Sequence, residues 1–435
     1  MVRRRLYRGI RGSIGVELYK FPSTVTGGVP RPFFSVATGG SSVALSLTTV
    51  FEQSLHASVN NIQYYQNFNN PWPTTNINAI TATGRSQMMT LEPVTASFNV
   101  AGGIRTSDGV VDNPMISGTS YSGFVITGSL LAAHVTQPNG TYVVLGGASG
   151  GPGGIQLTMD VPYTVTSGTH ITTTPFTPTK NYVTALIFDL VGITAGNYDS
   201  VIQTFASSAV GNNLILRFAH EMNGNWYPWG VYPTSTYTYS ASQYVALWNH
   251  VRAVWRAQET SISAPNVPWV WCPNIANNRT GVVADSGVLS TGPTNGSGFP
   301  IYAPATVGAV GTGNSTYPGD ANCEYIGLDG YSNPSSVAGA NAPFAALFAA
   351  DIQWMQTSVT TTKPFIICET GTDVSIGSTA RAAWFSGMFD TMHTYSVIGV
   401  SYFNNTGSGN YPINTDPIAC QGFLSSLKQW VRQYP

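Results

Sequence analysis

Eight short apolar runs, near residues 33, 59, 87, 214, 267, 325, 365 and 397, alternate with stretches whose apolar residues recur at helical spacing. A run of about five apolar residues fits a strand covered on both faces, and strands that alternate with helices make parallel sheets. Eight such units imply a closed (β/α)8 barrel, the TIM barrel of the α/β class. The first three strands are expected at Phe33 to Val36, Val59 to Tyr65 and Gln87 to Leu91, with a helix through Leu47, Val50, Phe51 and Leu55 and another from Ile77 to Ala82. A helix with Val201, Phe205 and Val210 feeds the strand at Leu214, and Ser240 with Gln243 forms a capping box for the next helix. Strands at Val267 to Trp271, Tyr325 to Leu328, Phe365 to Cys368 and Val397 to Val400 follow, with helices at Ala345 to Met355, at Ala380 to Met392 and around Phe423 to Val431.

The alternation breaks between residues 94 and 181, where charges are few and β-prone runs such as Phe124 to Thr127, Tyr142 to Leu145 and Ile155 to Met159 lie between turn residues. This is an all-β pattern inside an α/β one. The chain therefore reads as a basic N-terminal extension (1–29), a barrel in two pieces (30–93 and 182–435) and an inserted β-rich domain (94–181). The insert is a carbohydrate-binding module or a structural decoration. It and the arm carrying Arg3, Arg4, Arg5, Arg8 and Arg11 are the surfaces open to an assembly partner.

Only 9% of the 435 residues are charged and the formal net charge is -1, so solubility rests on neutral polar groups. That excludes nucleic acid, which needs clustered Lys and Arg, and suits a neutral polysaccharide. No segment approaches the roughly 20 apolar residues of a membrane span. The composition is that of an extracellular or surface-associated protein, although no signal-peptide core follows the basic arm. Cys272, Cys323, Cys368 and Cys420 show no metal-ligand spacing, so no metal site is expected; one of three disulfide pairings or buried free thiols fit equally.

Two of the seven glutamates end apolar runs. Glu221 follows Leu214 to Phe218 and opens the turn Met222-Asn223-Gly224-Asn225-Trp226-Tyr227-Pro228-Trp229, while Glu369 follows Phe365 to Cys368. In parallel α/β proteins functional groups collect at the carboxyl ends of strands. Strands on opposite sides of a small barrel can aim both carboxyls across its mouth, and glycosidic hydrolysis needs two carboxyls in different protonation states. Pro, Gly and Trp rather than Lys line the adjacent turns, so simple ion pairing does not explain the two glutamates.

His220 to Trp226, Trp269 to Asn274, Tyr317 to Asp320 ahead of Ile326 to Tyr331, and Lys363 to Phe365 leading to Glu369-Thr370-Gly371 together resemble glycoside hydrolase family 26 over residues 30 to 95 and 182 to 435. The resemblance implies a (β/α)8 retaining endo-β-glycanase acting without cofactor on β-1,4-mannan, mixed-linkage β-glucan or β-1,3-xylan. It makes Glu221 the general acid/base and Glu369 the nucleophile. It gives Tyr331 a hydrogen bond to the nucleophile and Trp226 a stacking role. His220, Asn223, Trp229 and Trp271 become further substrate-binding candidates. At the eighth strand the family usually offers a tryptophan, but this chain has Ser401-Tyr402-Phe403, so Tyr402 and Phe403 are the candidates there. The competing reading is a surface or particle-associated structural protein that keeps the barrel to bind glycan.

Overall fold

The computed structural model describes residues 29–94, 190–223, 229–231, 239–275, 305–313, 315–332, 342–406 and 410–433, with Tyr227 and short strands between residues 24 and 26 and between 96 and 187. Its centre is a closed barrel of eight parallel strands. In chain order these are β1 (Phe33–Gly40), β2 (Asn61–Asn67), β3 (Ser86–Glu92), β4 (Leu214–Phe218), β5 (Trp269–Trp271), β6 (Tyr325–Ser332), β7 (Phe365–Thr372) and β8 (Gly399–Phe403). β8 closes onto β1, with Gly399 opposite Phe33. A Cβ at Gly399 would come within 2.2 Å of the Phe33 side chain, so only glycine permits that seam.

The helices are α1 (Ser41–Leu55), α2 (Thr74–Thr81), α3 (Leu190–Thr194), α4 (Asp199–Ser208), α5 (Ala241–Ser261), α6 (Phe344–Trp354), α7 (Ser378–Thr394) and α8 (Pro417–Gln433). The expected capping box starts α5: Gln243 N donates to Ser240 Oγ at 3.2 Å and Ser240 N donates to Gln243 Oε1 at 2.7 Å. Such a cap contributes roughly 1 kcal/mol. No described helix is long and apolar enough to cross a membrane.

Strand alternation sorts side chains into two cores. The outer one lies between strands and helices: Phe34 of β1 and Phe385 of α7 meet Phe423 of α8 at 5.6 and 4.9 Å between ring centroids. Each aromatic buried there contributes about 1.5–3 kcal/mol. The second fills the barrel, with Phe33, Met88, Ile215, Val270 and Ile366 as its apolar floor. Polar side chains share the interior, as Ser35 donates to Asn61 and Asn61 to Ser86 across β1, β2 and β3.

Between β3 and β4, the strands Ala96–Val100, Thr119–Tyr121, Phe124–Thr127, Ala132–Thr136, Tyr142–Gly146 and Tyr163–Val165 pair only antiparallel, and Val183–Ile187 joins Ala96–Val100 and Phe124–Thr127 in one sheet. The basic arm and the expected strand at Ile155 to Met159 lie outside the described residues, as does most of the loop after β5.

Candidate active site

β4 contributes two groups of opposite charge. Arg217 faces the barrel interior and is fully buried, and the chain then turns sharply, with Ala219 and Glu221 at φ +43° and +51°. Side chains other than glycine rarely hold this left-handed conformation, which costs roughly 1–3 kcal/mol per residue and persists where the surroundings enforce it. Here backbone bonds to both neighbouring strands enforce it: Ala219 N donates to Leu91 O at 3.0 Å and Glu221 N to Cys272 O at 2.8 Å. Glu221 is 6% exposed and its carboxyl accepts a hydrogen bond from Asn274 Nδ2. Asn274 is held in turn by Asn223, whose amide donates to Asn274 O at 2.7 Å and accepts from Asn274 N at 2.8 Å.

β7 delivers Glu369 through a bulge. Leu328 of β6 faces Ile367, but the next residue, Asp329, faces Glu369, so Cys368 is the extra residue. The bulge lets both Cys368 and Glu369 turn inward, where regular alternation would send one of them out. The Glu369 carboxyl is gripped from three strands. Arg217 Nη2 and Tyr331 Oη donate to its two oxygens, Tyr65 Oη donates at 2.6 Å and Gln63 Nε2 at 3.3 Å.

Arg217 is the hub beneath. Its Nη1 donates to Asp329 Oδ2 at 2.5 Å and its Nε to Thr90 Oγ1 at 3.0 Å, while the Cys272 thiol donates to the other Asp329 oxygen at 3.2 Å. Burial alone would favour loss of the Arg217 proton, but Asp329 and Glu369 outweigh it and hold the guanidinium charged well above the ordinary arginine range. Burial, reinforced by Glu369, keeps Tyr65 and Tyr331 as neutral phenols well above their usual range. Burial, with Arg217 adding to it, pushes His220 well below the usual imidazole range, so at neutral pH it is uncharged.

Two buried sets among the described residues bring metal-ligating atoms within 4.8 Å of one another: Cys272, Asp329 and Cys368, and His220, Asp329 and Glu369. Both share Asp329, and Arg217 already supplies the positive charge there. A cation would have to sit against the guanidinium.

No family model matches the chain. The solved β-mannanase of glycoside hydrolase family 26 from Bacteroides ovatus aligns with 92% of this chain and 88% of its own, at 12% identity and a TM-score of 0.45. The endo-β-1,4-mannanase of Thermotoga petrophila aligns with 92% and 77%, at 8% identity and a TM-score of 0.45. In sequence, endoglucanase H of Acetivibrio thermocellus is 26% identical over 249 residues, which cover 55% of this chain and 23% of that protein.

The residues singled out by their family 26 motifs divide in space. Tyr331 meets Glu369, and Phe403 lies edge-on to Tyr331 at 5.7 Å between centroids. His220 is buried beside the turn, its Nε2 3.0 Å from Tyr227 Oη. Trp229 is 1% exposed, stacks flat on Tyr227 at 4.5 Å and donates to His220 O at 2.7 Å, so it braces the turn and offers no open face to a sugar. Asn223 likewise is committed to Asn274.

Trp271 and Tyr402 need correction. Each is fully buried in the outer core, Trp271 against Tyr317 and Tyr402 among Phe51, Phe385 and Phe423, because alternation turns them away from the lumen that Cys272 and Ser401 share. Trp226 lies outside the described residues. Sequence reasoning did not single out Arg217, Gln63, Tyr65, Tyr227, Asn274 or Asp329 as site residues. A cation inside the apolar run Leu214 to Phe218 and a carboxylate inside β6 were the visible signals for Arg217 and Asp329. The four cysteines are buried free thiols.

Proposed function

We propose that the chain is a retaining endo-β-glycanase, with Glu369 as nucleophile and Glu221 as general acid/base. The observation that carries this reading is the unequal setting of the two carboxyls. Glu369 is held by a guanidinium, two phenols and an amide at the top of the barrel, with the cation Arg217 directly on it, and the Glu221 carboxyl accepts from the neutral amide of Asn274. A nucleophile must be aimed and anionic, and an acid/base must gain and lose a proton through the cycle.

In the first step Glu221 protonates the leaving glycosidic oxygen while Glu369 attacks the anomeric carbon, giving a glycosyl-enzyme ester. In the second, Glu221 takes a proton from water, which displaces Glu369 and restores the configuration. The substrate is a neutral β-linked polysaccharide: β-1,4-mannan, β-glucan, to which the name of the Acetivibrio thermocellus relative points, or β-1,3-xylan. Proton NMR of freshly released product tests the course. The β-anomer is expected first; initial release of the α-anomer would establish inversion and overturn this assignment of the glutamates.

A further inference from the structure

Glu92 is a third carboxyl at the mouth of the barrel, and the two-step mechanism does not use it. It ends β3, where Met88 belongs to the barrel floor and Thr90 accepts from Arg217 and Gln63, while Leu91 packs in the outer core. Side chains two apart on a strand share a face, so Glu92 stands one step above Thr90 on the lumen side. Leu91 O holds the Ala219 amide, which sets Glu92 beside the turn that carries Glu221.

Arg217 of β4, Glu369 of β7 and Tyr227 of the turn are close enough to act on it electrostatically, and Tyr65 on β2 shares the face. Yet no described residue donates a hydrogen bond to the Glu92 carboxyl or forms an ion pair with it. The residue that follows is Pro93, which has no N–H to offer. A half-buried acid left without a partner is costly, and one set beside a second carboxylate more so. Placement at a mouth that has to receive sugar hydroxyls supplies the missing partner.

We propose that Glu92 is a substrate-binding residue whose carboxyl hydrogen-bonds a ring hydroxyl of the sugar seated over Glu369, and so decides how firmly that sugar is held for cleavage. The inference rests on the glycanase reading. Burial, with Glu369 adding and Arg217 opposing, raises Glu92 to about 7. Below that pH the neutral acid both donates to and accepts from a hydroxyl. Above it, the carboxylate only accepts and places a second anion beside the nucleophile, so Glu92 contributes to the alkaline limb of kcat/KM.

The test compares wild type, Glu92→Gln and Glu92→Ala on soluble mannan, mixed-linkage β-glucan and β-1,3-xylan, measuring kcat and KM between about pH 5 and 9. On whichever polymer the wild type cleaves, Glu92→Ala is expected to lower kcat/KM by about tenfold or more, with thermal unfolding at acid pH little changed. Glu92→Gln, which can still donate and accept, is expected to stay within about threefold of wild type below pH 6 and to move the alkaline limb upward. A cleaving wild type with an unchanged Glu92→Ala protein overturns the role of Glu92 alone. A wild type that cleaves none of the three overturns the glycanase reading and the role of Glu92 with it.

Discussion

Arg217 reaches across the barrel from β4 and donates to Glu369 on β7, while its other terminal nitrogen holds Asp329 on β6. One fully buried cation thus pairs with two buried acidic side chains from strands 112 and 152 residues further along the chain. The pairing organises the mouth of the barrel, because the residue that aims the candidate nucleophile also balances its charge.

Replacing Arg217 by Met should therefore be felt in folding before it is felt in chemistry. It strands two carboxylates in the interior, which costs about 3–5 kcal/mol when a buried partner is removed. Urea unfolding should show that loss, with Arg217→Lys recovering part of it; a loss under about 1 kcal/mol would mean that the pairs contribute little.

The phenols that grip Glu369 predict a different signature. Tyr331→Phe or Tyr65→Phe removes one hydrogen bond to a charged group, worth about 1.5–3 kcal/mol, and so should lower kcat by roughly 10- to 100-fold. KM should move far less, since neither change touches the walls that hold remote sugars. A change confined to KM would place these tyrosines in substrate binding instead.

His220 and Glu92 should pull the pH dependence of stability in opposite directions. His220 is held neutral, so the unfolded chain binds a proton that the native one refuses, and its contribution is lost as pH falls below about 6.5. Glu92 is raised to about 7, so its contribution is present below the unfolded value and lost as pH rises through 7. Between about pH 4.3 and 6.5 the two slopes, each up to roughly 1.4 kcal/mol per pH unit, oppose one another. Relative to wild type, urea unfolding should show stability falling more steeply with pH over this window in His220→Gln and less steeply in Glu92→Gln; parallel slopes in the two variants would refute the assignment.

The thiols offer a check on the interior. All four cysteines are free and buried, and Cys272 is bonded to Asp329. Burial, with Cys368 next in effect, pushes the Cys272 thiol well above its usual range. A thiol reagent should find almost no reactive cysteine in the native protein and four after denaturation. Two or fewer after denaturation without reductant would reveal a disulfide.

Much of this was legible in the chain, for a physical reason. A parallel strand is covered on both faces, so each barrel strand announces itself as an apolar run, and Ser240 with Gln243 marks a helix start by local chemistry. Glu221 and Glu369 were legible because they end such runs, and Tyr331 was legible only through the family resemblance. Gln63 and Tyr65 were not, since their contacts with Glu369 span 306 and 304 residues of chain. Trp271 and Tyr402 were misread because one residue of strand phase decides between lumen and outer core. The bulge at Cys368 reverses that phase for Glu369, and no residue type announces it.

The most direct test is hydrolysis of mannan, mixed-linkage β-glucan and β-1,3-xylan by wild type and Glu369→Ala, with products resolved by chromatography. Wild type should release mixed short oligosaccharides from at least one polymer, and Glu369→Ala should lose activity by a factor on the order of 10⁴ while keeping the wild-type circular dichroism spectrum. Turnover by Glu369→Ala at the wild-type rate would contradict the account.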